Sequence, residues 1–167
     1  MNEIVNRVAD SKLITFNLED LYPEGKRETI DISQWLYEGF ILREKDFREQ
    51  LKKYDWTQHE GNYIALYCSA DAILPAWAFM LVTAHLAPYA KYVVKGDKVE
   101  LETRLFSTLI DRIDVEKYRD QLIIIKGCTN KPVPENAYLE LLQKLQPVVK
   151  SLMFGEACSA VPLYKKK

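Results

Sequence analysis

Short apolar runs, each closed by turn residues, lie at Tyr63–Tyr67, Tyr92–Lys95 and Leu122–Lys126 and predict three buried strands. Between them the apolar spacing is helical. Phe47, Leu51 and Tyr54 recur at i, i+4 and i+7 within Leu42–Tyr54, opposite a face of Arg, Lys and Glu, which predicts an amphipathic helix. Asp71 to Pro88 predicts a second helix with Asp71 as its cap. Leu101, Leu105, Leu109 and Ile113 line one face of a third, over Val99–Ile113. Asp114 then restarts a short helical turn. The stripe from Tyr138 through Leu141, Leu145 and Leu152 predicts a fourth helix, begun after Pro134, kinked at Pro147 and stopped by Gly155. Upstream, Leu13–Leu18 and Thr29–Ile32 predict short strands, the latter ending at Ser33 as a helix cap, and Gln34–Ile41 reads as a short helix or turn. Cys158–Tyr164 reads as a last extended segment.

Strands alternating with helices call for parallel pairing and right-handed crossovers. The expectation is an α/β fold: one three-layer domain over residues 1–167, with a mostly parallel sheet and helices on both faces. Residues 1–32 add strand and turn material, 33–164 carry repeated strand–turn–helix units, and 165–167 form a basic tail. Two stretches share one grammar, Asp55–Asp71 and Asp114–Asn130. Each opens on Asp and carries a ring residue four places later, His59 or Tyr118. An amide follows, Asn62 or Gln121, and then an apolar run. Each run leads to a cysteine and a hydroxyl, Cys68-Ser69 and Cys128-Thr129. About sixty residues separate the two copies, too long and too few for a solenoid.

Composition narrows the class. At 167 residues, 48% hydrophobic and 28% charged, the chain is that of a soluble globular domain. A net charge of −1 supplies no field to draw nucleic acid or anionic lipid, so neither is expected as a partner. Ala72–Ala90 carries no formal charge and approaches the length of a membrane span. Its two prolines, Thr83, His85 and many alanines, with strands close on both sides, instead predict a helix buried in the core. Met1–Asp10 lacks an apolar leader core, and the three cysteines are odd in number; a cytoplasmic protein with free thiols is expected.

Candidate chemistry gathers at the strand ends. The first strand leads to Cys68, Ser69 and Asp71, the second to Lys95 and Asp97, the third to Lys126, Cys128, Thr129, Asn130 and Lys131. Were all three parallel in one sheet, these groups would share an edge beside helix N-termini, which favour anions and thiolates. One reading is a metal centre in which Cys68, Cys128, Cys158 and Asp71 hold zinc or an iron–sulfur cluster, with Glu156 as another oxygen ligand. Ser69, Thr129 and Asn130 would then border the cofactor. No C-x-x-C pair supports this. His85, about 20 Å into its helix, and His59, ahead of its strand, are placed away from the edge. A second reading makes Cys128 the nucleophile of a thiol-dependent transferase or sulfur carrier, with Gly127 permitting close approach and Lys126 and Lys131 holding the thiolate. A third is a non-catalytic interaction domain whose cysteines pack as small hydrophobes. Phosphate-loop, dinucleotide and nucleophile-elbow signatures are absent from the sequence.

The segments ILREKDFREQL, YCSADAILPAWAFML, KGCTNKPVP and GEACSAVPLYKK resemble a family of uncharacterised bacterial proteins of about this length, a domain of unknown function. The likeness runs from about Ser33 to the C-terminus. By that resemblance, the gene is expected near SUF-type iron–sulfur assembly genes, where such proteins tend to be encoded. The resemblance therefore implies a cytoplasmic accessory place in iron–sulfur or sulfur metabolism, with iron–sulfur assembly proteins as partners, and carries over no activity or site.

Overall fold

The computed structural model describes residues 12–127 and 130–167. Its elements, in chain order, are β1 (Leu13–Phe16), β2 (Arg27–Asp31), α1 (Glu44–Lys53), β3 (Tyr63–Tyr67), α2 (Ala76–Leu86), β4 (Tyr92–Lys95), α3 (Lys98–Asp111), β5 (Leu122–Ile125), α4 (Glu135–Leu145), β6 (Ser151–Phe154) and β7 (Val161–Lys165). Single 3-10 turns occupy Leu18–Leu21, Ile32–Trp35, Trp56–His59 and Val115–Tyr118. The fold is α/β, as the alternating pattern requires. The chain divides into two compact units. One is continuous, Pro23–Arg104; the other is split, taking the chain through Tyr22 and again from Leu105 to Lys167.

In the continuous unit the strand order is β2-β3-β4, all parallel, with Arg27 opposite Tyr63 and Tyr63 opposite Tyr92. A central parallel strand is covered on both faces, which is why β3 reads as an unbroken apolar run: Tyr63, Ile64, Ala65 and Leu66 are all buried. Alternation sends Ile64 and Leu66 into one core with Phe47 and Leu51 of α1 and with Ala78, Val82 and Leu86 of α2. Trp35 and Trp56 from the two 3-10 turns close it, and the Trp56 indole N–H donates to the Leu51 carbonyl at 2.8 Å. Fully burying a side chain such as Leu51 contributes roughly 1.5–3 kcal/mol. No described helix is long and apolar enough to cross a membrane.

The split unit orders its strands β1-β5-β6-β7. The first three are parallel, with Leu13 opposite Leu122 and Leu122 opposite Ser151, and β7 runs antiparallel along β6. Ile123 and Ile125 of β5 pack with Phe106 and Ile110 of α3, Leu141 and Leu145 of α4, and Leu152 of β6.

Both units follow one plan: strand, 3-10 turn, helix, 3-10 turn, strand, helix, strand. Residue n of the continuous unit corresponds to residue n + 59 of the split unit, so α2 maps onto α4 and β4 onto β6 without a gap. Phe47 maps onto Phe106, Asp55 onto Asp114, Pro75 onto Pro134 and Gly96 onto Gly155. Even the backbone bonds repeat. Gly61 N–H donates to Tyr89 O at 2.9 Å, as Asp120 N–H does to Val148 O at 2.9 Å. Both residues sit at positive φ, 74° and 56°. The opening strands match at their own spacing, and Asn17 and Asp31 each cap the 3-10 turn that follows, accepting from Glu19 N–H and Ser33 N–H. The paired grammar in the sequence is thus part of a longer repeat, in which the split unit alone adds β7.

Several local expectations are corrected. One sheet was expected; β3 and β4 share a sheet, and β5 belongs to another. The second helix begins at Ala76 rather than Asp71. Pro75, with φ −68° and ψ 151°, stands at its cap, and the residue before a proline is biased away from helix. Asp31, not Ser33, caps the turn after β2. The last helix ends at Leu145, so Pro147 follows its stop instead of kinking it. Cys158 lies in the connection between β6 and β7, with the final strand starting at Val161.

Candidate functional site

Parallel strands end together, and an α/β sheet leaves a crevice beyond their carboxyl ends. In the continuous unit the ends of β3 and β4 open into a cleft of about 510 Å3 whose walls include Tyr67, Cys68, Ile73, Phe79, Lys95 and Gly96. The chain turns there because Gly96 adopts φ 141°, and a side chain at that position would meet Glu100 at 2.8 Å. Gly96 N–H in turn donates to Leu66 O at 2.8 Å, holding the two strand ends together. Cys68 is a free, half-buried thiol whose Sγ reaches Ala70 O at 3.7 Å. The ammonium of Lys95, itself exposed, lies 4.6 Å from the centroid of the Phe79 ring. Ile73 is fully exposed and Tyr67 partly so.

Beside the cleft, the Asp31 carboxylate gathers three hydrogen bonds, from Ser33 N–H at 2.9 Å, Ser69 N–H at 3.1 Å and the Ser69 hydroxyl at 2.6 Å. Ser33 Oγ and Ser69 Oγ are 3.1 Å apart. Burial acts to raise the Asp31 pKa, but the bonds from Ser69 and Ser33 outweigh it and hold the carboxyl below its ordinary range. Sequence reasoning named Ser69 and missed Asp31, which arrives from β2.

In the corresponding place of the split unit, among the described residues, an aromatic ring takes the position of Lys95. Gly127 stands where the continuous unit has Cys68, Tyr138 where it has Phe79, and Phe154 where it has Lys95. The Phe154 ring lies edge-on to Tyr138 with centroids 5.7 Å apart. It lies so close over Gly127 that a Cβ there would meet it at 2.8 Å. Nearby, Glu19 accepts from the backbone N–H groups of Asn130 and Lys131.

The sequence-predicted site residues are divided between the units. Cys68, Ser69, Asp71, Lys95 and Asp97 belong to the continuous one; Lys126, Asn130, Lys131 and the exposed Cys158 belong to the split one. Cys128 and Thr129 lie outside the described residues. Asp71 is exposed, and Asp97 is engaged in starting α3, accepting from Glu100 N–H at 2.8 Å. Because β5 is not in the sheet of β3 and β4, the argument that one parallel sheet gathers the thiols on one edge does not apply. Among the described residues, no group of three His, Cys, Asp or Glu side chains could hold a metal ion.

A second polar cluster lies ahead of β3, where His59 had been set aside. Buried His59 places Nδ1 2.6 Å from Glu28 and Nε2 2.9 Å from the Tyr54 hydroxyl. Lys26 Nζ approaches the other Glu28 oxygen at 2.7 Å. Burial works to raise the Glu28 pKa, yet hydrogen bonds from Lys26, His59 and Asn62, with the charge of His59, bring it from 4.5 down to about 2. Burial, then the charges of Glu28 and Asp55, raise that of Tyr54. At the corresponding positions the split unit has Ile14, Tyr118 and Ile113, all packed against its apolar core.

No curated protein and no solved structure matches the chain. Residues 2–166, nearly its whole length, match the family described as "protein of unknown function (DUF2480)". The repeated α/β plan and its strand-end cleft are thus features of a chain that belongs to the DUF2480 family.

Proposed function

We propose that this protein binds a small molecule in the cleft at the carboxyl ends of β3 and β4, with Cys68 and Lys95 on its walls. The observation that carries the reading is the difference between two copies of one fold. The split unit lays its own Phe154 over Gly127, whereas the continuous unit has Cys68 and Lys95 on the walls of a cleft of about 510 Å3. Filling it with an aromatic side chain would bury apolar surface at a gain of roughly 1.5–3 kcal/mol. Leaving it open, with Ile73 exposed on the rim, forgoes that gain, and a ligand would restore it.

The test is protection of Cys68. In a Cys128→Ser, Cys158→Ser background, iodoacetamide should alkylate Cys68 slowly but completely in the native protein. At least one member of a small-molecule fragment library should slow that alkylation saturably. A library that leaves the rate untouched throughout contradicts the reading.

A metal-binding or accessory role in iron–sulfur metabolism would use the same rim, with the half-buried Cys68 thiol as one ligand and Asp71 as an oxygen ligand. Metal analysis of anaerobically purified protein decides it: iron or zinc near one per chain supports this second reading, and a metal-free preparation that takes up neither excludes it.

A further inference from the structure

The split unit also indicates what kind of molecule fits. From the two versions of this place we infer that the ligand is a planar aromatic ring bearing an anionic group, such as an aromatic carboxylate or sulfonate; this rests on the cleft being the ligand site. In the split unit the place is taken by a ring set edge-on to Tyr138 at 5.7 Å. Such aromatic pairs are worth about 0.5–1.5 kcal/mol beyond the area they bury. Phe79 holds Tyr138's position in the continuous unit, and an ammonium, not a ring, stands over it at 4.6 Å. The surface that receives a ring in one copy is therefore present in the other without one.

Depth follows from Cys68. A Cβ at Gly127 would come within 2.8 Å of the Phe154 ring, so a ring cannot sink as far beside Cys68 as Phe154 does beside Gly127. It has to sit further out, at the level of Ile73 and Tyr67, the two exposed apolar groups of the rim. Charge follows from Lys95. It replaces the aromatic residue of the other copy with a cation on a flexible four-carbon stem, able to swing off Phe79 and pair with an anion beside an incoming ring. A cationic ligand would be repelled there. A neutral aliphatic one would gain neither the ring contact nor the ion pair.

Three probes separate the parts of this assignment, each titrated into the full chain by calorimetry and followed by backbone amide shifts. They are 1-anilinonaphthalene-8-sulfonate, its uncharged parent N-phenyl-1-naphthylamine, and cyclohexanecarboxylate. The sulfonate should bind with 1:1 stoichiometry and shift the amides of Cys68, Ile73, Lys95 and Gly96. Lys95→Met should weaken it about tenfold, the loss expected for one charge-assisted contact. Cys68→Gly combined with Lys95→Phe rebuilds the split unit's version of this place and should abolish binding while the protein stays folded. If the uncharged amine binds as tightly as the sulfonate, the anionic requirement is overturned; if cyclohexanecarboxylate does, the ring is. The cleft reading survives both results. If no probe moves those amides, the ring–anion assignment fails, while protection of Cys68 by other fragments still decides the cleft by itself.

Discussion

The Lys95 ammonium lies 4.6 Å from the centre of the Phe79 ring, whereas Phe154, at the corresponding position of the split unit, meets Tyr138 ring to ring. One backbone plan thus carries two treatments of the same strand-end crevice. Where Gly127 makes room, Phe154 lies over it; where Cys68 stands, Lys95 and Phe79 line a cleft.

The position of Phe154 depends on the missing side chain at Gly127. Gly127→Ala puts a methyl 2.8 Å from the Phe154 ring, inside contact distance. Overpacking of this kind costs about 1–3 kcal/mol. Urea denaturation should show that loss in the wild-type background, and less of it when Phe154→Leu is also present. Equal losses in both backgrounds would mean that the ring is not what Gly127 accommodates.

Ile73 separates binding from stability. Its side chain is fully exposed, so Ile73→Ser should change stability by no more than about 0.5 kcal/mol. The same substitution should weaken any ligand held in the cleft. A variant that melts much earlier would show that Ile73 is part of the packed fold rather than of the rim.

Glu28 makes stability depend on pH in a stated direction. Its folded pKa, about 2, is below its ordinary 4.5, so the unfolded chain binds the proton more readily. The stabilisation is full above about 4.5 and is lost as pH falls from there toward 2. Unfolding followed between pH 6 and 2 should show this decline, and Glu28→Gln should flatten it. Above pH 6 the variant should be less stable than wild type, because the charged partner of His59 is gone.

Arg27 and Glu102 form a nearly buried pair, Nε to Oε1 at 2.6 Å, and Arg27 also donates to the carbonyls of Pro23 and Gly25, both at 2.7 Å. The guanidinium lies 4.7 Å over the Tyr63 ring. This one side chain ties the start of the continuous unit to the helix by which the chain leaves it. Removing one partner of a buried pair strands the other charge and costs about 3–5 kcal/mol, whereas replacing both by apolar groups is far milder. Arg27→Met should therefore destabilise strongly, and adding Glu102→Met should recover part of the loss. Additive losses would contradict a pair interaction.

Much of the fold was legible. β3 and β4 were readable to the residue, because a strand in a parallel sheet shows as an apolar run ended by a turn. The α/β class followed from the alternation of elements, and the paired stretches at Asp55 and Asp114 disclosed the repeat. Its full length was not legible, because most paired positions keep only their character, as Leu51 and Ile110 do, or lose it, as Tyr54 and Ile113 do. The two Cys–hydroxyl pairs are not equivalent positions of the repeat, for a definite reason. At a constant spacing of 59, Cys68 corresponds to Gly127 and Cys128 to Ser69, so the matching Cys–hydroxyl pairs are one residue out of step. Sheet membership is a tertiary choice: β1 pairs with β5 across most of the chain, and no local pattern records that. His59 looked idle because its partner Glu28 comes from β2, 31 residues earlier. Lys95 was noticed for its charge, but its meaning came only from seeing Phe154 in its place.

The most direct measurement is a backbone amide map of the full chain titrated with a mixed fragment library. The account predicts shifts concentrated at Leu66 to Ala70, Ile73, Leu74, Lys95 and Gly96, with the corresponding amides of Ile125 to Gly127, Phe154 and Gly155 unmoved. Still amides at the open cleft, or equal movement at both places, would contradict it.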